Sequence, residues 1–175
     1  MQHTLVILVE DKPGTLNRVA SLFRRRGFNI ESLTVGHTDM PGISRMTIVM
    51  EGDQSSAERV VAYLYKLVNI IQVDDLTDRQ LVCRDLAMIK VHASAENRTE
   101  VMQMVDVFRA RIVDVTSSSL IIEITGDEAK INSFIEMMRP LGIIEMARTG
   151  AVAMARGGES LLNGNHKYVG MYATT

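Results

Sequence analysis

The chain has 175 residues, 46% of them hydrophobic and 23% charged, with a formal net charge of −2. That is apolar material for one ordinary core or two small ones, and no charge excess marks a nucleic-acid or membrane-surface binder. The single cysteine, Cys83, excludes an intramolecular disulfide and fits a reducing cytoplasm. Residues 1–20 contain Glu10, Asp11, Lys12 and Arg18, unlike a signal peptide, and no apolar run reaches the roughly 20 residues of a membrane span. The expectation is a cytoplasmic protein with neither a membrane nor a nucleic-acid partner.

Thr4–Val9 reads as a strand apolar on both faces, hence central in a sheet. Asp11-Lys12-Pro13-Gly14 breaks it, and Leu16, Val19, Ala20 and Phe23 then recur at i, i+3, i+4 and i+7, one helical stripe. Gly27 follows Arg24, Arg25 and Arg26, as a C-terminal glycine after basic last-turn residues. Ile30–Val35 and Ile43–Met50 are strands around a turn over His37–Gly42. Asp53 or Ser55 caps a second helix with the stripe Ala57, Val60, Val61 and Leu64, and Asn69–Val73 closes a βαββαβ unit.

After the polar stretch Thr77–Asp85 the pattern returns. Leu86–Ala93 is a strand, and Asn97 with Glu100 three residues on reads as a capping box. Val101, Met104, Val105 and Phe108 form a helical stripe, followed by strands Ile112–Val115 and Leu120–Thr125. Asp127 caps a helix with Ile131, Phe134, Ile135 and Met138 inward, and Ile143–Met154 supplies the last strand. The fold class expected is α+β: two tandem ferredoxin-like βαββαβ sandwiches, each four antiparallel strands with two helices on one face. The expected division is a first domain over 1–77, a linker 78–85, a second domain over 86–157 and a loosely held, glycine-punctuated tail 158–175. Strands apolar on both faces call for the second sheet face to be covered, by oligomerisation or domain stacking.

Catalytic and metal-binding constellations are not legible. His3, His37, His92 and His166 are not spaced as ligands with one another, with Cys83 or with a carboxylate, and Cys83 has no C-x-x-C partner. Neither a phosphate loop nor a nucleophile elbow occurs. His37 reads as a solvated turn residue and His92 as structural. RNA binding on this fold wants aromatics on the central strands, whereas those strands read Leu-Val-Ile-Leu-Val and Arg-Met-Thr-Ile-Val-Met. Arg24-Arg25-Arg26 could touch phosphate, but complementing the helix dipole on a solvated face is the plainer account.

The Asp-Lys-Pro-Gly turn carries the one candidate site. A helix N-terminus presents free N–H groups and partial positive charge, and Gly14 carries no side chain to keep a small anion away. Asp11 offers a carboxylate to an ammonium, and Asn29 offers both a donor and an acceptor. Such a set suits a free amino acid, while an ordinary strand-to-helix turn would need the same Asp, Pro and Gly.

The D-x-P-G-x-L motif after a first strand, inside βαββαβ, resembles the ACT domain, a small regulatory module that often binds amino acids. "VEDKPGTLNRVASLFRRRGFNIESLTVGHTD", "SRMTIVMEGD" and "KLVNIIQVDDLT" further resemble the regulatory (small) subunits of acetohydroxyacid synthase, also called acetolactate synthase; "MIKVHAS", "FRARIVDVT" and "EMARTGAVAMARG" resemble that family's C-terminal domain. The likeness covers roughly residues 1–157. It implies a non-catalytic chain, an ACT domain followed by a second ferredoxin-like domain, that forms a homodimer. It implies binding to a catalytic large subunit, which it activates and makes sensitive to a branched-chain amino acid, usually valine. Thiamine diphosphate, Mg and, where present, FAD would belong to that partner, with no cofactor, catalytic residue or metal in this chain. Effector sites of the family lie between two ACT domains. Carried over by motif, Asp11, Lys12, Pro13, Gly14, Thr15 and Leu16 would hold the ligand's carboxylate, and Asn29 and Ile30 would complete the pocket. Asp11 stands where the family often has asparagine, which leaves effector choice open. The rival readings are a tandem-ACT regulator of another pathway, resembling the glycine-cleavage repressors, and a stand-alone enzyme on a ferredoxin-like fold.

Overall fold

A computed structural model describes residues 1–158. The expected tail, 158–175, falls outside the described residues except for Gly158. The chain divides into two compact units: Met1–Val82 joined by the segment that returns at Ala151, and Cys83–Gly150.

In the first unit the strands β1 (Gln2–Glu10), β2 (Ser32–His37), β3 (Ile43–Glu51) and β4 (Ile70–Asp75) form an antiparallel sheet in the order β2-β3-β1-β4. Helices α1 (Thr15–Arg26) and α2 (Gln54–Leu64) lie on one face. Leu5, Ile7 and Val9 of β1 and Met46, Ile48 and Met50 of β3 point to that face, where they pack with Val19, Leu22, Phe23, Val60 and Leu64. Period-two alternation on the strands and 3.6-residue spacing on the helices thus meet in one core. The helical stripe is rotated from the expected one: Leu16 is 43% exposed, and Thr15, Val19, Leu22 and Phe23 are the buried set of α1. Leu16 stands in the first turn, one residue past the Thr15 that turns inward.

Residues on the opposite sheet face are also buried, including Val6, Leu8, Thr47 and Val49. The returning segment reaches this face. Ala151 N–H donates to Ser32 Oγ at 2.8 Å, and the Arg45 guanidinium donates to the Ala153 carbonyl at 2.5 Å. Ala151 and Ala153 are themselves buried. Burial lowers the Arg45 pKa from its ordinary value, against a nearby Asp74 that raises it. The expected cover for an apolar sheet face is another domain or another copy; part of it is the chain's own returning segment at Ala151–Ala153.

The second unit repeats the plan. Strand β5 (Leu81–His92) begins in the first unit and runs on through the second. It is followed by α3 (Arg98–Val107), β6 (Arg111–Val115), β7 (Ser119–Gly126), α4 (Glu128–Met138), a 3-10 turn at Arg139–Leu141 and β8 (Ile143–Arg148). The order β6-β7-β5-β8 reproduces that of the first sheet. Ala87, Ile89 and Val91 pack under Val101, Val105, Ile131, Phe134 and Met138, with Phe108 edge-on to Phe134 at 5.2 Å between centroids.

Three local expectations change. The polar linker is shorter than 78–85, because Leu81–Asp85 already lies in β5, where alternate residues are half-buried or buried. The single last strand is two: β8 ends at Arg148, Thr149-Gly150 breaks it, and β9 (Val152–Ala155) belongs to the first unit. The capping box at Asn97 does not form, since the Asn97 amide instead donates to the His92 carbonyl and accepts from Ser94 Oγ. Asp53 and Asp127 do cap, accepting from Ser56 N–H at 2.8 Å and Lys130 N–H at 2.9 Å.

Candidate functional site

The turn between β1 and α1 is fixed from both sides. Asp11 N–H donates to the Gly42 carbonyl at 2.8 Å, tying the turn to the β2–β3 connection, and Lys12 N–H donates to the Glu10 carbonyl at 2.9 Å. The Glu10 carboxylate accepts from Lys12 Nζ at 3.0 Å and from Asn69 Nδ2 at 2.7 Å, and Asn69 Oδ1 accepts from Arg18. The hydrogen bond from Lys12, then that from Asn69, holds the Glu10 carboxyl below the usual carboxylate range, overcoming a smaller upward push from burial. The Lys12 ammonium is paired with Glu10 on the flank of the turn.

Gly14 caps α1 in the left-handed conformation, φ 85°, and contributes no side-chain hydrogen bond to the helix. Thr15 N–H donates to the Lys12 carbonyl and Arg18 N–H to the Gly14 carbonyl. Among the described residues, the N–H groups of Gly14, Leu16 and Asn17 have no acceptor. A Cβ built on Gly14 would meet nothing within 4 Å. Unpaired amides at the positive end of a helix, with open space where a Gly14 side chain would stand, have the chemistry to receive a small anion. The exposed Leu16 side chain stands beside it as an apolar surface.

The sequence-derived set separates into two groups. Asp11, Lys12, Pro13, Gly14, Thr15 and Leu16 are contiguous at the N-terminal end of α1. Asn29 and Ile30 follow its C-terminal end, and a 12-residue helix is about 18 Å long. Asn29 is exposed and donates to the Glu31 carboxylate, and Ile30 packs partly against the core. One chain does not bring the two groups together.

Residues that sequence reasoning passed over also shape the turn. His37, set aside as a solvated turn residue, ends β2 with Nδ1 3.3 Å from Asp11 Oδ2. The pair is exposed on both sides, 83% and 48%, so it orients the Asp11 carboxylate more than it stabilises the fold. Arg18 and Asn69 stand 51 positions apart in the chain, and no local motif announces their contact.

Elsewhere the chemistry is sparse. Among the described residues no group of three or more His, Cys, Asp or Glu could hold a metal ion, and no helix is long and apolar enough to cross a membrane. Burial, then Asp85, pushes the Cys83 thiol pKa up, away from a reactive thiolate.

Comparison with known proteins addresses what such a pair of units is. Residues 5–72 match the family model of the AHAS small subunit-like ACT domain, and residues 84–157 match that of the small subunit of acetolactate synthase. A probable acetolactate synthase small subunit of Archaeoglobus fulgidus is 57% identical over 90% of this chain and 98% of its own length. The acetolactate synthase small subunit of Mycobacterium bovis is 47% identical over 89% of this chain and 92% of its own. The crystal structure of the acetolactate synthase small subunit from Thermotoga maritima superposes with a TM-score of 0.85 at 41% identity, covering 91% of this chain and 99% of that one. Matching at both units, across nine tenths of the chain and in three dimensions, the chain belongs to the acetolactate synthase small-subunit family.

Proposed function

We propose that this chain is the regulatory subunit of a two-component acetohydroxyacid synthase: it binds and activates a thiamine-diphosphate-dependent catalytic subunit and confers feedback inhibition by a branched-chain amino acid, valine first among them. Family membership supports a catalytic partner. Thiamine diphosphate, Mg and, where present, FAD are assigned to that partner. The observation that carries the effector reading is the row of unpaired amides at Gly14, Leu16 and Asn17, with open space where a Gly14 side chain would stand. A ligand carboxylate received there gains charge-assisted hydrogen bonds, each worth about 1.5–3 kcal/mol. Its ammonium finds the Asp11 carboxylate, and a branched aliphatic side chain finds Leu16. His37 Nδ1, 3.3 Å from Asp11 Oδ2, holds that carboxylate in place beside the turn.

The second group, Asn29 and Ile30, then comes from another copy of the chain. β2 is an edge strand of its sheet, and Ser-Leu-Thr-Val-Gly-His carries neither lysine nor proline to protect that edge. A homodimer built along this edge, with a two-fold axis between the copies, supplies each loop with its partner's Asn29 and Ile30.

The test is reconstitution with the catalytic subunit from the same source, followed through acetolactate formation from pyruvate. The chain alone is expected to give no turnover. Added to the catalytic subunit it should raise turnover, and valine should then inhibit at lower concentration than it inhibits the catalytic subunit alone. Turnover by the chain in a preparation free of large subunit, or no rise at a saturating ratio, would overturn the reading.

A further inference from the structure

The far end of α1 holds a feature that neither the fold nor the effector reading uses. Arg25 and Arg26 from α1 and Tyr63, Lys66 and Leu67 from the end of α2 and just beyond line an open recess of about 510 Å³, with Leu22 at its base. The Arg26 guanidinium lies 3.9 Å from the centre of the Tyr63 ring, and Lys66 Nζ lies 5.3 Å from the same centre. No acidic side chain lines the recess. Among the described residues Arg25, Arg26 and Lys66 form no ion pair, whereas Lys12, Arg139 and Arg148 each have a carboxylate.

Helix capping does not account for these cations. Gly27 N–H already donates to the Arg24 carbonyl and Phe28 N–H to the Phe23 carbonyl, so the end of α1 is closed by its own backbone. The two helix ends nearby carry about half a negative charge each, against three formal positive charges. Two cations sharing one ring repel each other, and nothing in the recess neutralises them.

We propose that this recess binds a small organic phosphate. Planar guanidinium forks match phosphate oxygens bidentately, and Lys66 adds a third, movable donor. Leu67 and the Tyr63 ring, only partly buried against the core, leave apolar surface in the recess that a bare ion would not cover, so the ligand carries an apolar body beside its charge. The volume is that of a small-molecule site. The recess shares no lining residue with the Gly14 turn or with Asn29 and Ile30, and stands whether or not an amino acid binds at them.

The probes are phenyl phosphate, inorganic phosphate and a short oligoglutamate peptide, each titrated calorimetrically into the full chain at low salt. Phenyl phosphate is expected to bind saturably and more tightly than inorganic phosphate. Arg25→Gln with Lys66→Gln should weaken both by tenfold or more, since each removes a charge-assisted contact; Tyr63→Leu should weaken phenyl phosphate. Arg139→Gln, at an exposed ion pair of the second unit, should change neither. Arg25 and Lys66 are exposed, so a melting curve close to the parent's is expected, and Lys66→Gln alone is the second variant should the pair fold poorly. No saturable binding up to about 10 mM, a weaker limit than ordinary metabolite affinities, overturns the proposal. So does equal binding by the Lys66→Gln variant. Peptide binding without phenyl phosphate binding also overturns it, and gives the recess to an acidic protein surface instead.

Discussion

Gly14 has two reasons to be glycine, and they can be separated. Its φ of 85° strains any L side chain, while the space above it is open. Gly14→Ala tests the backbone alone: a loss of roughly 1 kcal/mol in stability from the left-handed conformation, about 4–8 °C in melting temperature for a unit of this size, with the valine response retained. Gly14→Asp adds a carboxylate where the ligand's own would sit. The expected outcome is a melting temperature near that of Gly14→Ala, activation largely kept, and effector sensitivity lost. The measurement is a valine, leucine and isoleucine titration of the reconstituted enzyme beside melting curves of both variants. Unchanged inhibition in a folded Gly14→Asp variant would place the amino-acid site elsewhere. The turn itself was legible in the sequence because Asp-Lys-Pro-Gly is a local motif with local physics. Its support was not. Glu10 meets Asn69 from 59 positions away, and both engage side chains on either flank of the turn, a coincidence of register that no window of sequence contains.

Elements were legible where burial set their pattern. All four stripe residues of α4, Ile131, Phe134, Ile135 and Met138, are buried, and Asp127 caps the helix as its position suggests. Capping by Asn97 looked equally good in sequence and fails because Ser94 Oγ donates to its Oδ1, the atom a cap would use, while its Nδ2 donates to the His92 carbonyl. The two sites should therefore respond differently. Asp127→Ala should cost about 1 kcal/mol and speed amide hydrogen exchange in α4 by about fivefold. Asn97→Ala should leave exchange through α3 nearly unchanged, because no helix amide depends on it. Equal effects on the two helices would show that the Asp127 hydrogen bond contributes little in solution. The division of Ile143–Met154 into two strands escaped the periodicity because β8 and β9 are both short and apolar-rich, with only Thr149-Gly150 between their ends at Arg148 and the returning segment. Only the packing of Ala151 and Ala153 on the first unit reveals that the chain has changed units.

At the scale of the whole molecule, the distance along α1 makes a demand that one chain cannot meet. The Gly14 turn and Asn29 lie at opposite ends of a helix about 18 Å long, so a site using both must take them from two copies. Mixing variants tests this without a structure. Gly14→Asp homodimers lack every intact turn, and Asn29→Ala homodimers lack every intact amide. In a heterodimer of the two, one site combines the native Gly14 of one chain with the native Asn29 of the other, and the second site carries both lesions. Random exchange makes about half the dimers mixed, so about one site in four is restored when two-fold symmetry governs assembly. Valine binding to a refolded equimolar mixture, measured calorimetrically, should recover to that extent, with both homodimers binding far more weakly. A site contained within one chain would gain nothing from mixing. No recovery in the mixture, with mixed dimers demonstrated by mass spectrometry, would therefore rule out a site that Gly14 of one copy and Asn29 of the other complete together.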